Sequence, residues 1–192
     1  MSIYKGKFYE EEGIVLDILP YPRGKYRVRL PQGSRVVQLL GTSMFTLLEA
    51  SLLPGETAEP LEVLKVGKES RDRIHKVLGR ISYEELSPTA RAELPVAVES
   101  IIRRDEQRFV AFFNHAGYVT PRMHAFDLLP GIGKKTVEVL LRSRPFSSFE
   151  DIEKKCGFDP VAKLKERILQ ELMGTERHFL FVRRPVGATE LL

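Results

Sequence analysis

The segment Leu129-Pro130-Gly131-Ile132-Gly133-Lys134-Lys135 sits between two stretches of helical pattern. Pro130 and the two glycines stop a helix and turn the chain. Upstream, Thr120-Pro121 has the composition of a helix start, with Thr as cap and Pro at the first helical position, and predicts a short helix over Arg122–Leu128. Downstream, Lys134 to Leu141 reads as a second helix with Val137, Leu140 and Leu141 on one face. Glycine permits backbone angles that other residues adopt only at a cost, and it leaves room for a ligand to approach the main chain. The first turn of the following helix presents N–H groups without intrahelical partners and the positive end of the dipole. A phosphate oxygen suits both. Lys134 and Lys135 place charge at the same spot, and Ile132 is expected to point inward and fix the turn. The plainer reading is a tight turn between core helices, or a hairpin that mediates protein contacts.

Residues Pro121 to Leu141 resemble the helix-hairpin-helix family, whose hairpin reads apolar-Gly-apolar-Gly followed by a basic residue. The resemblance implies phosphate contact by the backbone N–H groups of Gly131, Gly133 and Lys134. Such a grip positions nucleic acid without reading bases. A second unit is expected to follow: Phe146-Ser147-Ser148-Phe149 as a capped helix start, Cys156-Gly157-Phe158-Asp159-Pro160 as a turn, and a helix from Val161 to Met173. Only Gly157 remains there of a glycine pair, and Asp159 repels phosphate. This half is expected to complete the core rather than to bind.

The N-terminal third reads as β. Strand candidates are Gly13–Leu19, Tyr26–Leu30, Ser34–Leu40, Phe45–Ala50 and Leu61–Val66, separated by turn signals such as Pro20-Tyr21-Pro22-Arg23-Gly24 and Pro31-Gln32-Gly33. Five short strands predict a small barrel, OB-like in first place and SH3-like close behind. After Gly67 the pattern turns helical. Ser82-Tyr83-Glu84-Glu85 has capping-box spacing, Ser87-Pro88 marks another start, and Leu94–Phe113 carries apolar residues at mostly helical intervals. The fold class expected is α+β and multidomain: a barrel over 1–66, a basic and helical connector over 67–119, an all-α helix-hairpin-helix domain over 120–174, and a tail over 175–192. In that tail Phe179–Val182 is a further strand candidate.

The bulk properties are those of an ordinary globular protein, with 43% hydrophobic and 29% charged residues and a formal net charge of +4. The charge is unevenly placed. Residues 1–66 balance, with 8 basic and 8 acidic, whereas residues 67–80 carry 5 basic against 2 acidic and residues 121–170 carry 10 against 7. Lys68, Arg71, Arg73, Lys76 and Arg80 in the first excess fit either a stripe along a nucleic-acid backbone or a solvated linker partly paired with Glu69 and Asp72. The single cysteine, Cys156, excludes an internal disulfide and a cysteine-built zinc or iron–sulfur site. His75, His115, His124 and His178 lack metal-ligand spacing. No cofactor and no metal are expected. Met1–Lys5 opens no secretory signal and no run spans a membrane, so a cytoplasmic location with no membrane partner is expected.

Gly67-Lys68 with Arg71-Asp72-Arg73-Ile74, then Gly79-Arg80-Ile81-Ser82-Tyr83-Glu84-Glu85-Leu86, then Phe112-Phe113-Asn114-His115-Ala116-Gly117, then the Leu129–Lys135 hairpin, occur in that order. Together they resemble an archaeal family of unknown function described as predicted RNA-binding proteins, with an OB-like N-terminal domain and a C-terminal helix-hairpin-helix domain. The resemblance implies RNA rather than DNA as partner, with ribosomal components and translation as its setting. An enzyme is not expected. The strongest catalytic reading, a DNA glycosylase with Lys135 as nucleophile, lacks its supporting groups: Asp151 reads as a helix-start residue, and a largely β N-terminal third does not suit an all-helical enzyme body. The rival of another class is an interaction module that docks on a ribosomal or RNA-processing protein.

Overall fold

The β-branched run after Gly13 forms the strand its composition implies. In the computed structural model, which describes residues 9–188, the strands are β1 Glu12–Leu19, β2 Val36–Gly41, β3 Leu47–Leu52, β4 Val63–Lys65 and β5 Ile74–Arg80. Met1–Lys5 and the end of the tail lie outside the described residues. All neighbours pair antiparallel in the order β4-β1-β2-β3-β5. The first four strands follow the 4-1-2-3 order of a Greek key, and β5 is added beside β3. The result is an OB-like half-barrel, open between β4 and β5. The chain is therefore α+β, with the sheet first and five helices after it. The described residues fall into two compact units, 9–97 with 171–188, and 98–170.

The sheet unit buries Val15, Val37, Leu39, Leu48, Ala50, Leu52, Leu64 and Ile74 in one core. Every residue of β2 and β3 is buried, so these strands are covered on both faces. On the face away from that core, Gln38 and Glu49 stand opposite each other across the ladder. A fully buried carboxylate needs several donors to replace water. Glu49 accepts from Gln38 Nε2 at 2.8 Å, from the backbone N–H groups of Arg23 and Gly24 at 3.0 Å each, and from the Tyr26 hydroxyl. That cluster fixes the 20–35 loop. Burial, with the Glu49 carboxylate adding to it, pushes the Tyr26 phenol far above its ordinary range.

Three expectations change here. Tyr26–Leu30 forms no strand. Its exposed and half-buried residues alternate as expected, but the segment is tied by Glu49 rather than by a ladder. Conversely Ile74–Arg80, read as part of a helical connector, is strand β5. Its inward residues Ile74, opposite Leu52, and Val77, opposite Ala50, lie three apart because the pairing with β3 slips between Ser51 and Leu52; it slips again between Glu49 and Ala50. A twice-bulged strand thus imitates helical spacing. Phe179–Val182 is no strand either: the N–H groups of Leu180, Phe181 and Val182 donate to the buried Glu171 carboxylate at 2.7, 3.0 and 2.9 Å.

The helices are α1 Pro88–Arg104, α2 Glu106–His115, α3 Lys134–Ser143, α4 Phe149–Cys156 and α5 Pro160–Leu172. Ser87 caps α1 as read, its Oγ accepting from the Ala90 N–H at 3.0 Å. The Ser82 box closes only a 3-10 turn, with Glu85 accepting from the Ser82 N–H at 2.8 Å. The helix expected through Leu94–Phe113 breaks at Asp105, between α1 and α2. The helical unit packs around Phe113, whose ring centre lies 5.5–6.5 Å from those of Phe112, Phe126, Phe146 and Phe158.

The helix expected at Thr120 is also replaced. Tyr118–Thr120 and Met123–His124 form a small hairpin, β6 and β7, and Ala125–Leu128 is a 3-10 turn. The cap belongs to His124 instead: its Nδ1 accepts from the Phe126 N–H at 3.1 Å, while the Asp127 carboxylate accepts from the His124 N–H at 2.7 Å. The unit is therefore not purely helical, and its first hairpin is entered from a single 3-10 turn.

Candidate nucleic-acid interface

Pro130 and Gly131 turn the chain as their types demand. Gly131 is left-handed, at φ +70°, and the Ile132 N–H donates to the Leu129 carbonyl at 3.1 Å. Proline second and left-handed glycine third is the type II arrangement. Leu129 is buried, whereas Ile132 is only half-buried, so Leu129 rather than Ile132 seats the hairpin. Gly133 then caps α3 and, having no side chain, offers its N–H groups no acceptor. Gly133, Lys134 and Lys135 are exposed, and the first turn of α3 contains no acidic residue. Val137 and Leu140 anchor the helix in the core; Leu141 is 37% exposed.

The cations of this unit divide into two kinds. Arg142 pairs with Glu138 at 3.2 Å, Lys155 with Asp151 at 3.0 Å and Lys165 with Glu99 at 2.7 Å. Lys134 and Lys135 make no ion pair among the described residues. Another cation without an ion pair among the described residues, Lys163 of α5, escaped the sequence reading. A methyl group in place of the Gly131 hydrogen would lie 2.8 Å from Lys163 Nζ. No spacing in the sequence brings residues 131 and 163 together; the fold does.

The hairpin of the second half is finished differently. Gly157 is again left-handed, at φ +75°. The residue two places on, however, is Asp159, whose Oδ1 accepts from the N–H groups of Val161 and Ala162 at 2.8 and 3.2 Å. The N-terminus of α5 is thus occupied by the protein's own carboxylate.

The other basic stretch lies in the sheet unit. Lys68 is exposed and Arg71 half-buried in the turn that precedes β5, and Lys76 is exposed on that strand. Arg73 is engaged by carboxylates: it pairs with Glu56 at 3.3 Å and with Glu62, and the bond to Glu62 raises its proton affinity above the ordinary value. Arg80, at the end of β5, donates to the Arg184 carbonyl; burial, with Arg183 adding repulsion, lowers its proton affinity. Of the aromatics in the sheet unit, Phe45 is fully buried and the Tyr26 hydroxyl is bonded to Glu49, whereas Tyr21 is 76% exposed.

His124 is buried against Phe126 and Tyr118, with ring centres 4.6 and 5.3 Å away. Desolvation holds its pKa below the ordinary value. Arg144 donates to the carbonyls of Phe113 and Ala116 at 2.7 and 2.8 Å, closing the C-terminus of α2. Asp151 caps and pairs at the start of α4, accepting from the Ser147 N–H and Lys155 at 3.0 Å each. Among the described residues no His, Cys, Asp and Glu side chains gather as a metal site, and no helix is long and apolar enough to cross a membrane.

An OB-like half-barrel followed by a helical body with a glycine hairpin at a helix start is the class these features define. The chain belongs to the DUF655 family, described as proteins of unknown function, whose model matches residues 9–183. It is 36% identical over 188 residues to the uncharacterized protein MJ0038 of Methanocaldococcus jannaschii, spanning 95% of this chain and 84% of that one. It is also similar to the crystal structure of Af1531 from Archaeoglobus fulgidus, with a TM-score of 0.78 and 35% identity over 91% of this chain and 100% of that one. The expected kinship with archaeal proteins of unknown function is met in these relatives.

Proposed function

We propose that this protein is a non-catalytic nucleic-acid-binding protein that grips the phosphate backbone through the Leu129–Lys135 hairpin. The observation that carries the reading is the α3 N-terminus, a glycine-capped helix start with two exposed lysines that pair with no carboxylate among the described residues. Backbone N–H groups, dipole and ammonium charge there favour an anion with several oxygens. RNA is favoured over DNA through the family resemblance drawn from the sequence; phosphate is common to both. A ribosomal or translation setting has the same support.

Salt titration tests the reading, with a short single-stranded RNA, an RNA hairpin and duplex DNA as probes. Binding through phosphates makes log K fall linearly with log salt, by about 0.7 per contact for single strands and about 0.9 for duplex DNA. No binding of any probe at low salt rejects the reading. The rival, docking on a protein, draws on Val139 and Leu141, which lie 39% and 37% exposed on α3. It gives an affinity for its partner that depends on those two side chains and not on the lysines.

A further inference from the structure

The second half of the helical unit has filled its own helix start with Asp159, yet one of its cations stands at the first hairpin. We infer that Lys163, on α5, is a phosphate contact of the Gly131–Lys135 site, so that the two halves of the unit build one site; this rests on the phosphate-binding reading given above. Three observations converge on it.

The first is position. Lys163 Nζ stands 2.8 Å from where a Cβ on Gly131 would be. Its ammonium therefore borders the turn whose N–H groups the reading assigns to phosphate. The second is the absence of a competing partner. Lys154, Lys155 and Lys165, on the same two helices, each meet a carboxylate. Lys163 Nζ makes no ion pair and no hydrogen bond among the described residues, and its backbone N–H is spent on the Asp159 carbonyl at 3.3 Å. An ammonium has three donors and no acceptor. It borders the turn whose Gly131, Gly133 and Lys134 N–H groups the reading assigns to phosphate, and an anion is the species that satisfies both sets of donors.

The third concerns Gly131 itself. Its left-handed φ of +70° is the reason for glycine, and the missing side chain leaves the Lys163 ammonium its place against the turn. The hairpin glycine thus keeps open the space in which ammonium and main chain present their donors together. Lysine suits this task as a compact point charge on a long stem.

The test compares Lys163→Met, which keeps the length and packing of the stem, with Lys163→Arg, which keeps the charge, and with the pair Lys134→Met/Lys135→Met. Thermal melts establish that each variant is folded. Affinity for a short single-stranded RNA is then measured against salt. Loss of one contact lowers the slope by about 0.7 and the affinity about fivefold near 0.1 M salt. Lys163→Met is expected to show both changes with an unchanged melting temperature, and Lys163→Arg to restore the slope. If the Lys134/Lys135 pair lowers the slope and Lys163→Met leaves slope and affinity as they were, the inference fails and the hairpin reading stands. A lower melting temperature with an unchanged slope assigns Lys163 to packing and also overturns it. If neither variant moves the slope, the hairpin reading fails and takes the inference with it.

Discussion

The two hairpins of the helical unit share a left-handed glycine two residues before a helix cap, and they differ in the cap. At Gly133 the cap has no side chain and is followed by Lys134 and Lys135. At Asp159 the cap is a carboxylate that already takes the N–H groups of Val161 and Ala162, and Pro160 and Val161 follow it. A helix start is a cluster of donors that something must satisfy. In the second hairpin the fold satisfies it; in the first it is left to solvent or a ligand. The sheet unit follows the second pattern. Glu49 holds the N–H groups of Arg23 and Gly24, Glu10 those of Ser43, Met44 and Thr46, and Glu171 those of Leu180, Phe181 and Val182. Beside these donor clusters closed by carboxylates, the α3 start has no side-chain cap.

The sharpest way to break the contrast is Gly133→Asp, which gives the first hairpin the cap of the second. No atom stands within 4 Å of a Cβ at this position, and φ is −90°. Aspartate and glycine differ as caps by only a few tenths of a kcal/mol. The melting temperature is therefore expected to hold or rise slightly, while the affinity for single-stranded RNA falls about tenfold or more, equivalent to about 1.4 kcal/mol. Unchanged affinity in the folded variant would place the binding surface elsewhere.

Next in size is the charge pair. Lys134→Gln with Lys135→Gln removes two candidate phosphate contacts, so the slope of log K against log salt for single-stranded RNA is expected to fall by about 1.4. A slope identical to that of the parent protein shows that neither lysine touches phosphate.

The reverse experiment at the second hairpin acts on stability instead. Asp159→Ala removes a carboxylate cap and is expected to cost about 1 kcal/mol, lowering the melting temperature by about 2–4 °C. RNA affinity should not change. A loss of affinity without loss of stability would make the second hairpin a binding element and undo the contrast.

The smallest effect concerns the turn that leads into the first hairpin. Burial holds the His124 pKa in the folded protein below its ordinary 6.5, so the unfolded chain takes up the proton first. The stability tied to neutral His124 is complete above about pH 6.5. It is lost as pH falls from there towards the folded value. Melting curves recorded downward from about pH 8 should show that decline, and His124→Gln should flatten it. An equal decline in the variant assigns the pH dependence to other groups.

Much of this was legible from residue types whose physics is local. The left-handed glycines, the Ser87 cap, the helix after the first hairpin, both helices around the second and the strands β1 to β3 all follow from neighbours in sequence. The strand at Ile74–Arg80 was not, because a slip in its pairing turns the period of two between Ile74 and Val77 into a spacing of three. Nor was the loop fate of Tyr26–Leu30, which is decided by Glu49 on a strand more than twenty residues away. At the candidate site the hairpin was read from its glycines and lysines, and the structural role of Asp159 from its charge. Lys163 was invisible, since its place beside Gly131 is a product of the tertiary fold. The thirty-one residues between them hold no pattern that pairs them.

The contrast between the hairpins is tested most directly by following backbone amide resonances while a short single-stranded RNA is added. The largest shifts are expected at Gly131, Gly133 and Lys134, with Val161 and Ala162, whose N–H groups Asp159 already holds, staying nearly still. Shifts of equal size at both hairpins, or shifts confined to the sheet unit, would contradict the account.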